Sequence, residues 1–137
     1  MPLTDAMKAR VLDAIYQDSP VGPAATLYVA LSTTAPSSDG SNFTRPSGNG
    51  YSDVAVTNNE TNWPNASEAN PSVKENGTTI TFPEATGSWG TITHWGVAEL
   101  DGGTVIDWAP LDASKEVVEG DIPRFQPGEL TTRLQDV

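Results

Sequence analysis

From Thr26 onward, turn-forming residues divide the chain into short segments of β type, and no helical period returns. Apolar and polar residues alternate in these segments, as in TLYVALST at 26–33 and YSDVAVT at 51–57. Alternation with a period of two places successive side chains on opposite faces of a strand. A sheet with one apolar face must cover that face with a second layer. The pattern therefore predicts a mainly β fold, an antiparallel β-sandwich of jelly-roll-like type.

About seven strands are predicted in this part of the chain. Besides the two above, they are TTITFP (78–83), SWGTITHWGV (88–97), the hairpin ELDGGTVIDWAPL (99–111), SKEVVEGD (114–121) and ELTTRLQ (129–135). The hairpin is predicted because Asp101, Gly102 and Gly103 tolerate positive φ between two β-rich segments.

The segment before the strands has the pattern of a helix. Thr4 is a candidate N-cap, and Asp5 follows it where the helix dipole favours an anion. The apolar residues that share one face are Met7, Val11, Ala14 and Ile15. SPVGP at 19–23 then ends the helix. We therefore predict a single domain over the whole chain, with the helix in residues 1–20 and the β-sandwich in residues 25–137.

Two long polar loops interrupt the strand pattern. They cover residues 35–50 and 58–77, and each contains one bulky aromatic residue, Phe43 in the first and Trp63 in the second. Long loops in compact domains are usually functional or disordered. We interpret them as arms that order against a neighbouring subunit; surface loops without a special role are the alternative.

Composition excludes several classes of protein. The net charge is −11 with only seven Lys and Arg residues, and these are scattered, which argues against nucleic-acid binding. No apolar stretch approaches the roughly 20 residues that cross a bilayer, and the first residues lack the pattern of a secretion signal, so we expect no membrane partner. Because the chain has no cysteine, disulfides, thiolate catalysis and thiolate metal sites are excluded.

The stretch SWGTITHWGV raises the question of catalysis, because it contains the only histidine. Strand alternation places Trp89 and Trp95 on one face, and His94 on the other with Ile92. A catalytic base needs an orienting carboxylate and a group to act on, and no motif supplies them. We therefore predict no catalytic residue and no cofactor, with His94 a hydrogen-bonded strand residue.

Metal binding is also left unassigned. The acidic turns at Asp39 and Glu119 offer oxygen atoms of the kind that calcium prefers. Neither turn has the spaced ligand pattern of a calcium loop. We therefore predict no metal site.

The large aromatic residues are the remaining candidates for a site. Trp63, Trp89, Trp95, Trp108 and Phe43 are predicted to be interface or core anchors, because such residues dominate buried and interface area. Carbohydrate binding is the competing interpretation, since exposed flat rings stack on sugars.

Four Asn-x-Ser/Thr triplets fall in or beside the two loops. They begin at Asn42, Asn59, Asn65 and Asn76. Each is a formal glycan acceptor in a host that glycosylates asparagine.

Several stretches together resemble a family of small virion proteins of tailed phages, tail-fibre-like or minor structural proteins. The stretches are ATLYVALSTTAP, GNGYSDVAVTNNETNW, TTITFPEATGSWGTITHWGV and VIDWAPLDASKEVVEGDIPRFQPGELTTRL. They cover most of the chain from Ala25 to Leu134, and SWGTITHWG is the most specific of them.

This resemblance implies a non-enzymatic structural protein at the virion surface, made in the host cytoplasm. Two placements follow from it. The first is a capsid decoration protein that binds the major capsid protein and bridges its subunits. The second is a tail fibre or minor tail protein used in host adsorption, with carbohydrate as a candidate ligand. The favoured expectation is capsid decoration by a homo-oligomer, a trimer or another closed symmetric form.

Overall fold

The computed structural model describes residues 3–134. Within them the chain forms one helix, α1 (Asp5–Tyr16), followed by eight strands. The strands are β1 (Thr26–Ser32), β2 (Val54–Thr57), β3 (Ser72–Glu75), β4 (Ile80–Thr81), β5 (Gly90–Ala98), β6 (Val105–Val117), β7 (Arg124–Phe125) and β8 (Thr131–Leu134). The predicted mainly β fold with one N-terminal helix is confirmed.

All strand pairs are antiparallel. A four-stranded sheet has the order β2-β1-β5-β6, while β3 pairs with β8 and β4 pairs with β7. The turn predicted at Asp101–Gly103 joins β5 to β6: the amide of Gly103 donates to the carbonyl of Leu100 (2.9 Å), and Gly102 has a φ of +68°. That hairpin is confirmed.

The core lies between the four-stranded sheet and a second layer. Leu31 of β1 lies opposite Trp95 of β5, so both side chains project from one face. Phe82, which follows β4, and Leu130, which precedes β8, are each 1 % exposed and cover that face. Burying a side chain of this size stabilises the fold by about 1.5–3 kcal/mol. The sandwich is therefore closed by apolar contact.

The first long loop covers the other face of the same sheet. Gly96 on this face has no side chain, and the ring of Phe43 occupies the space: a Cβ there would lie 2.7 Å from that ring. The hydroxyl of Ser32 on β1 accepts the amide of Thr44 (2.9 Å). Loop 35–50 is thus ordered by contacts with its own sheet.

Three features of the β region differ from the sequence prediction. The second predicted loop contains β3, which pairs with β8 although its polar sequence SVKE has no apolar alternation. The segments predicted separately at 99–111 and 114–121 supply one long strand, β6, and the two-residue β7 was not predicted. Pairing partners distant in sequence decide such short or polar strands. The predicted regions also include residues 1–2 and 135–137, which lie outside the described part of the chain.

Helix α1 begins and ends close to the predicted positions but buries none of its residues. Thr4 is the N-cap, yet its side chain makes no capping hydrogen bond; its backbone amide instead donates to the carbonyl of Ile106 (2.9 Å). Arg10 fixes the helix by an ion pair with Glu99, at 2.7 Å. Ile15, predicted on the face that packs, is 66 % exposed. The apolar residues of the helix are therefore only partly covered.

Candidate functional site

His94 lies on the face of β5 opposite Trp95, as predicted. Its Nδ1 is 2.8 Å from the hydroxyl of Thr93, and its ring meets that of Trp108 edge-on at 5.9 Å between centroids. Burial lowers the pKa of His94, so the neutral ring is favoured at pH 7. No described carboxylate bonds to this histidine. A base with a hydroxyl neighbour but no orienting acid lacks the set required for nucleophilic catalysis.

The prediction that Ile92 shares the face of His94 was wrong. The β5–β6 ladder is irregular between these two residues, and Ile92, 1 % exposed, belongs to the same core cluster as Trp95. An irregular ladder shifts the phase of alternation, so a strict period of two does not hold across it.

The predicted aromatic anchors fall into different surroundings. Trp89 and Trp95 are each 4 % exposed in the core, where the indole N–H of Trp89 donates to the carbonyl of Asn49 (2.8 Å). Trp63 packs against the core from the second loop, and its indole nitrogen has no partner among the described residues. Trp108 is half-buried beside His94.

Phe43 is half-buried as well, between Gly96 and the guanidinium of Arg45, which lies 5.2 Å from its ring centroid. The five aromatic anchors therefore do not form one exposed platform, and each of them is buried or half-buried.

A buried polar network joins the first loop to the β5–β6 turn. The carboxylate of Asp53, with a side chain 1 % exposed, accepts hydrogen bonds from Arg45 (3.0 Å), the hydroxyl of Tyr51 (2.8 Å) and the amide of Gly102 (3.1 Å). The same hydroxyl accepts the amide of Leu31 (2.9 Å), and burial raises the pKa of Tyr51 strongly. No sequence pattern predicted this network, because its members lie in the first loop, in the segment just before β2 and in the β5–β6 turn.

A second buried carboxylate is poorly satisfied. Asp107 on β6 is 8 % exposed; its Oδ2 accepts the hydroxyl of Thr132 on β8, while its Oδ1 has no described partner. Desolvation raises the pKa of Asp107 to about 6, against the lowering effect of that hydrogen bond. Because it lies on the core-facing side of the sheet, the ionised side chain of Asp107 destabilises the fold at neutral pH.

The four predicted glycan acceptors differ in accessibility. Asn76 is 1 % exposed, and its amide donates to the carbonyls of Thr78 (2.9 Å) and Gln126 (3.0 Å). Asn42, Asn59 and Asn65 are exposed. Three of these positions therefore lie on the surface of the folded chain, whereas Asn76 is buried.

A cleft opens where β6 departs from its ladder. Pro110 pairs with His94 and Lys115 pairs with Ile92, so the four residues 111–114 stand opposite the single residue Thr93, and β6 contains three extra residues in a bulge. The cleft lies between this bulge and β7, with a volume of about 440 Å³, inside the usual range for ligand sites. We call it the β6–β7 cleft.

Apolar residues form the floor of the β6–β7 cleft and charged residues form its rim. The floor includes Ile92, Trp95, Val117 and Phe125, and the rim includes Asp112, Lys115, Asp121, Arg124 and Glu129. Two of the rim carboxylates are engaged locally, since Asp121 accepts the amide of Val118 (3.0 Å) and Glu129 accepts that of Gln126 (2.6 Å).

The two cations of the rim are unpaired. Within residues 3–134, Lys115 and Arg124 make no side-chain ion pair or hydrogen bond. The rim also carries three carboxylates, so its charge does not select an anionic ligand, and the apolar floor suits an apolar one. No motif indicated this site in the sequence; the only local signal was the polar DASK segment at 112–115, which begins between two predicted strand segments.

Two further searches of the described residues bear on the type of site. No group of three or more His, Asp or Glu side chains is arranged to hold a metal ion. Helix α1 is too short to span a membrane, and no other helix is described.

Comparison with known protein families shows the family to which this chain belongs. A family model described as podophage GP4 fiber I protein gp80 matches residues 2–133, nearly the whole chain. The chain belongs to the gp80 fiber I family. A search of curated proteins finds no match. This membership agrees with the resemblance of the sequence to virion proteins of tailed phages. The chain is therefore a phage virion structural protein.

Proposed function

We propose that the chain is a structural component of a tailed-phage fibre, exposed at the virion surface. The observation that carries this proposal is the match of residues 2–133 to a fiber I protein family. The favoured expectation from the sequence was capsid decoration, but the family description names a fibre. The fibre placement is therefore the better supported of the two.

The architecture is compatible with a rigid structural component that carries out no chemistry. Both faces of the central sheet are covered by the chain's own residues, and the Asp53 network ties the covering loop to the sheet. His94 has a hydroxyl neighbour without an acid. These features support a packing role and not a chemical one.

A role in host adsorption is a finer part of the same proposal. None of the four tryptophans is fully exposed, so none offers the open ring on which a sugar stacks best. The β6–β7 cleft is therefore the place where adsorption ligands are to be sought, ahead of an aromatic surface.

Immunogold labelling of intact particles, followed by cryo-electron microscopy, tests the placement. A tag on Asn65, in an exposed part of the second loop, leaves the core untouched. We expect label and matching density in fibres attached at the tail. Label distributed over the head lattice would overturn the fibre proposal in favour of capsid decoration.

A further inference from the structure

We propose that strands β3 and β8 form a hinged flap over β6, which is closed while the carboxyl group of Asp107 is protonated and opens when that group ionises. We call this strand pair, Ser72–Glu75 with Thr131–Leu134, the β3–β8 ribbon. The device is conformational, and it does not depend on where the protein sits on the particle.

One end of the β3–β8 ribbon is fixed in the core. Asn76 directly follows β3 and Leu130 directly precedes β8, and each is 1 % exposed. The backbone amide of Asn76 donates to the carbonyl of Leu130 (3.2 Å), and the amide of Leu130 donates to Oδ1 of Asn76 (2.9 Å). This end is therefore the hinge of the flap.

The strands of the ribbon have no comparable anchor. None of their eight residues belongs to the core cluster or to the partly buried apolar residues that pack against it. Val73 bonds to the backbone and the hydroxyl of Ser67, but Ser67 lies in the exposed second loop. Within residues 3–134, the hydrogen bond from Thr132 to Asp107 is the one that joins the ribbon to the four-stranded sheet. A segment that buries so little apolar area opens at a lower free energy than the whole domain.

The carboxyl group that holds the ribbon is poorly suited to carry a charge. Asp107 is 8 % exposed, and its Oδ1 has no partner within residues 3–134. A protonated carboxyl group is uncharged and is buried at modest cost. An ionised one leaves a buried charge with the hydroxyl of Thr132 as its single described side-chain donor, which is costly. Lifting the free end of the ribbon lets water reach this charge while the core stays folded.

The groups packed around Asp107 supply no contacting cation. Val97, opposite on β5, and Leu3, bridged to Asp107, are apolar. Lys74 on β3 lies opposite Thr132 and shares its face of the ribbon, but it forms no ion pair within residues 3–134. Burial is the largest effect on the pKa of Asp107 and raises it to about 6, whereas the positive charge of the amino terminus has the smallest effect and lowers it.

The direction of the pH dependence follows from the two states of the ribbon. In the open state Asp107 is hydrated and titrates near its ordinary pKa of 3.8, whereas in the closed state its pKa is about 6. Below both values the group is protonated in either state, so the closed state is most stable there. Closure weakens as the pH rises through this interval, and above it the opening equilibrium constant is larger by up to about a hundredfold.

Amide hydrogen exchange of the full chain, followed by NMR at pH 5 and pH 7.5 and corrected for intrinsic exchange rates, tests the flap. We expect the amides of β3 and β8 to be less protected than those of β1 at both pH values. Their protection factors should fall about tenfold between pH 5 and pH 7.5. Asp107→Asn cannot ionise and should abolish this fall. Asp112→Asn, which removes an exposed carboxylate from the same strand, is the matched control and should retain it.

Limited digestion with trypsin gives a second measurement at a single pH. Lys74 and Arg133 lie in the ribbon, whereas Arg124 lies on β7 outside it. At pH 7.5, Asp107→Asn should slow cleavage after Lys74 and Arg133 at least about tenfold and leave cleavage after Arg124 unchanged.

Three outcomes would overturn the flap. If the ribbon amides exchange only together with those of β1, Asp107 is released by global unfolding and not by a local opening. If the fall in protection persists in Asp107→Asn, another group controls the opening. Equal cleavage of wild type and Asp107→Asn after Lys74 and Arg133 would contradict the proposal in the same way.

Discussion

Two buried carboxylates in this small domain are held in opposite ways. Asp53 accepts hydrogen bonds from a guanidinium, a hydroxyl and a backbone amide, so its charge is fully compensated. Among the described residues, Asp107 accepts the hydroxyl of Thr132 through one oxygen, and its other oxygen has no hydrogen-bond partner. Both are acidic residues in strand regions of the sequence. Their different effects on stability come from the groups that the fold places around them.

Replacing Asp107 by Asn should stabilise the protein at neutral pH. Because burial raises the folded-state pKa of Asp107 to about 6 from 3.8, the wild type loses stability as pH rises through that interval. The shift corresponds to about 1–3 kcal/mol once the side chain is ionised. Urea unfolding at pH 4 and pH 7.5 measures it.

We expect Asp107→Asn to gain stability at pH 7.5 and to change little at pH 4. A loss of stability at pH 7.5 would show that the ionised carboxylate is compensated after all. The hydroxyl of Thr132 can still donate to the amide oxygen of Asn, so the hydrogen bond itself is not the variable.

Replacing Asp53 by Asn should destabilise the protein, which is the opposite of the effect expected for Asp107→Asn. The amide nitrogen would face the donors Arg45 and Gly102, and it would leave a largely buried guanidinium without its carboxylate. Loss of one partner of a buried ion pair costs about 3 kcal/mol. Urea unfolding at pH 7 measures the loss. Asp5→Asn, which removes the exposed pair with Lys8, is the matched control and should cause a clearly smaller loss.

At the scale of elements, small residues decide how the first loop reaches the sheet. Gly96 on β5 leaves room for Phe43, and the same missing side chain keeps Val105 within contact. The glycine is required by close approach, since its φ is not in the left-handed region. Strand and loop are therefore matched to each other, although 53 residues separate them in the sequence.

Gly96→Ala should destabilise the protein by about 1–3 kcal/mol, because the added methyl group would lie 2.7 Å from Phe43 and 2.8 Å from Val105. Shortening the ring partner in the double variant Gly96→Ala with Phe43→Leu should recover part of that loss. A double-mutant cycle from urea unfolding measures the coupling. Strict additivity of the two changes would show that the contact does not determine the cost.

For the whole molecule, net charge is the dominant long-range term. The chain carries −11, and only three ion pairs occur within residues 3–134, of which Arg45–Asp53 alone is buried. Repulsion among surface carboxylates opposes compaction, and salt screens it. We therefore expect added salt to stabilise the fold, because weaker repulsion among the carboxylates should outweigh the weakening of the two exposed ion pairs.

The thermal midpoint should rise when sodium chloride increases from about 10 mM to about 150 mM, as the Debye length falls from roughly 30 Å to 8 Å. Calorimetry at constant pH measures the midpoint, with sucrose as an uncharged control for solute effects. A midpoint that falls with salt would mean that attractive surface pairs outweigh the repulsion.

The sequence predicted part of the fold and little of the cleft. Alternation identified β1, β2 and the centre of β5, and the DGG turn identified the β5–β6 hairpin, because these signals are local. Strand β3 was missed, since the polar SVKE pairs with β8 from almost 60 residues away. The cleft was missed because it arises from three extra residues in β6, which no local pattern indicates.

Local chemistry in the chain was enough to establish a β-rich domain behind one helix and the absence of a recognisable catalytic motif. Periodicity, turn residues and residue inventory depend only on neighbours along the chain. The pairing of distant strands, the shifted phase at Ile92, the burial of Asp107 and the exposure of Ile15 were settled by folding. Each of these depends on groups brought together from distant parts of the sequence, and their desolvation and packing exist only once the layers have closed.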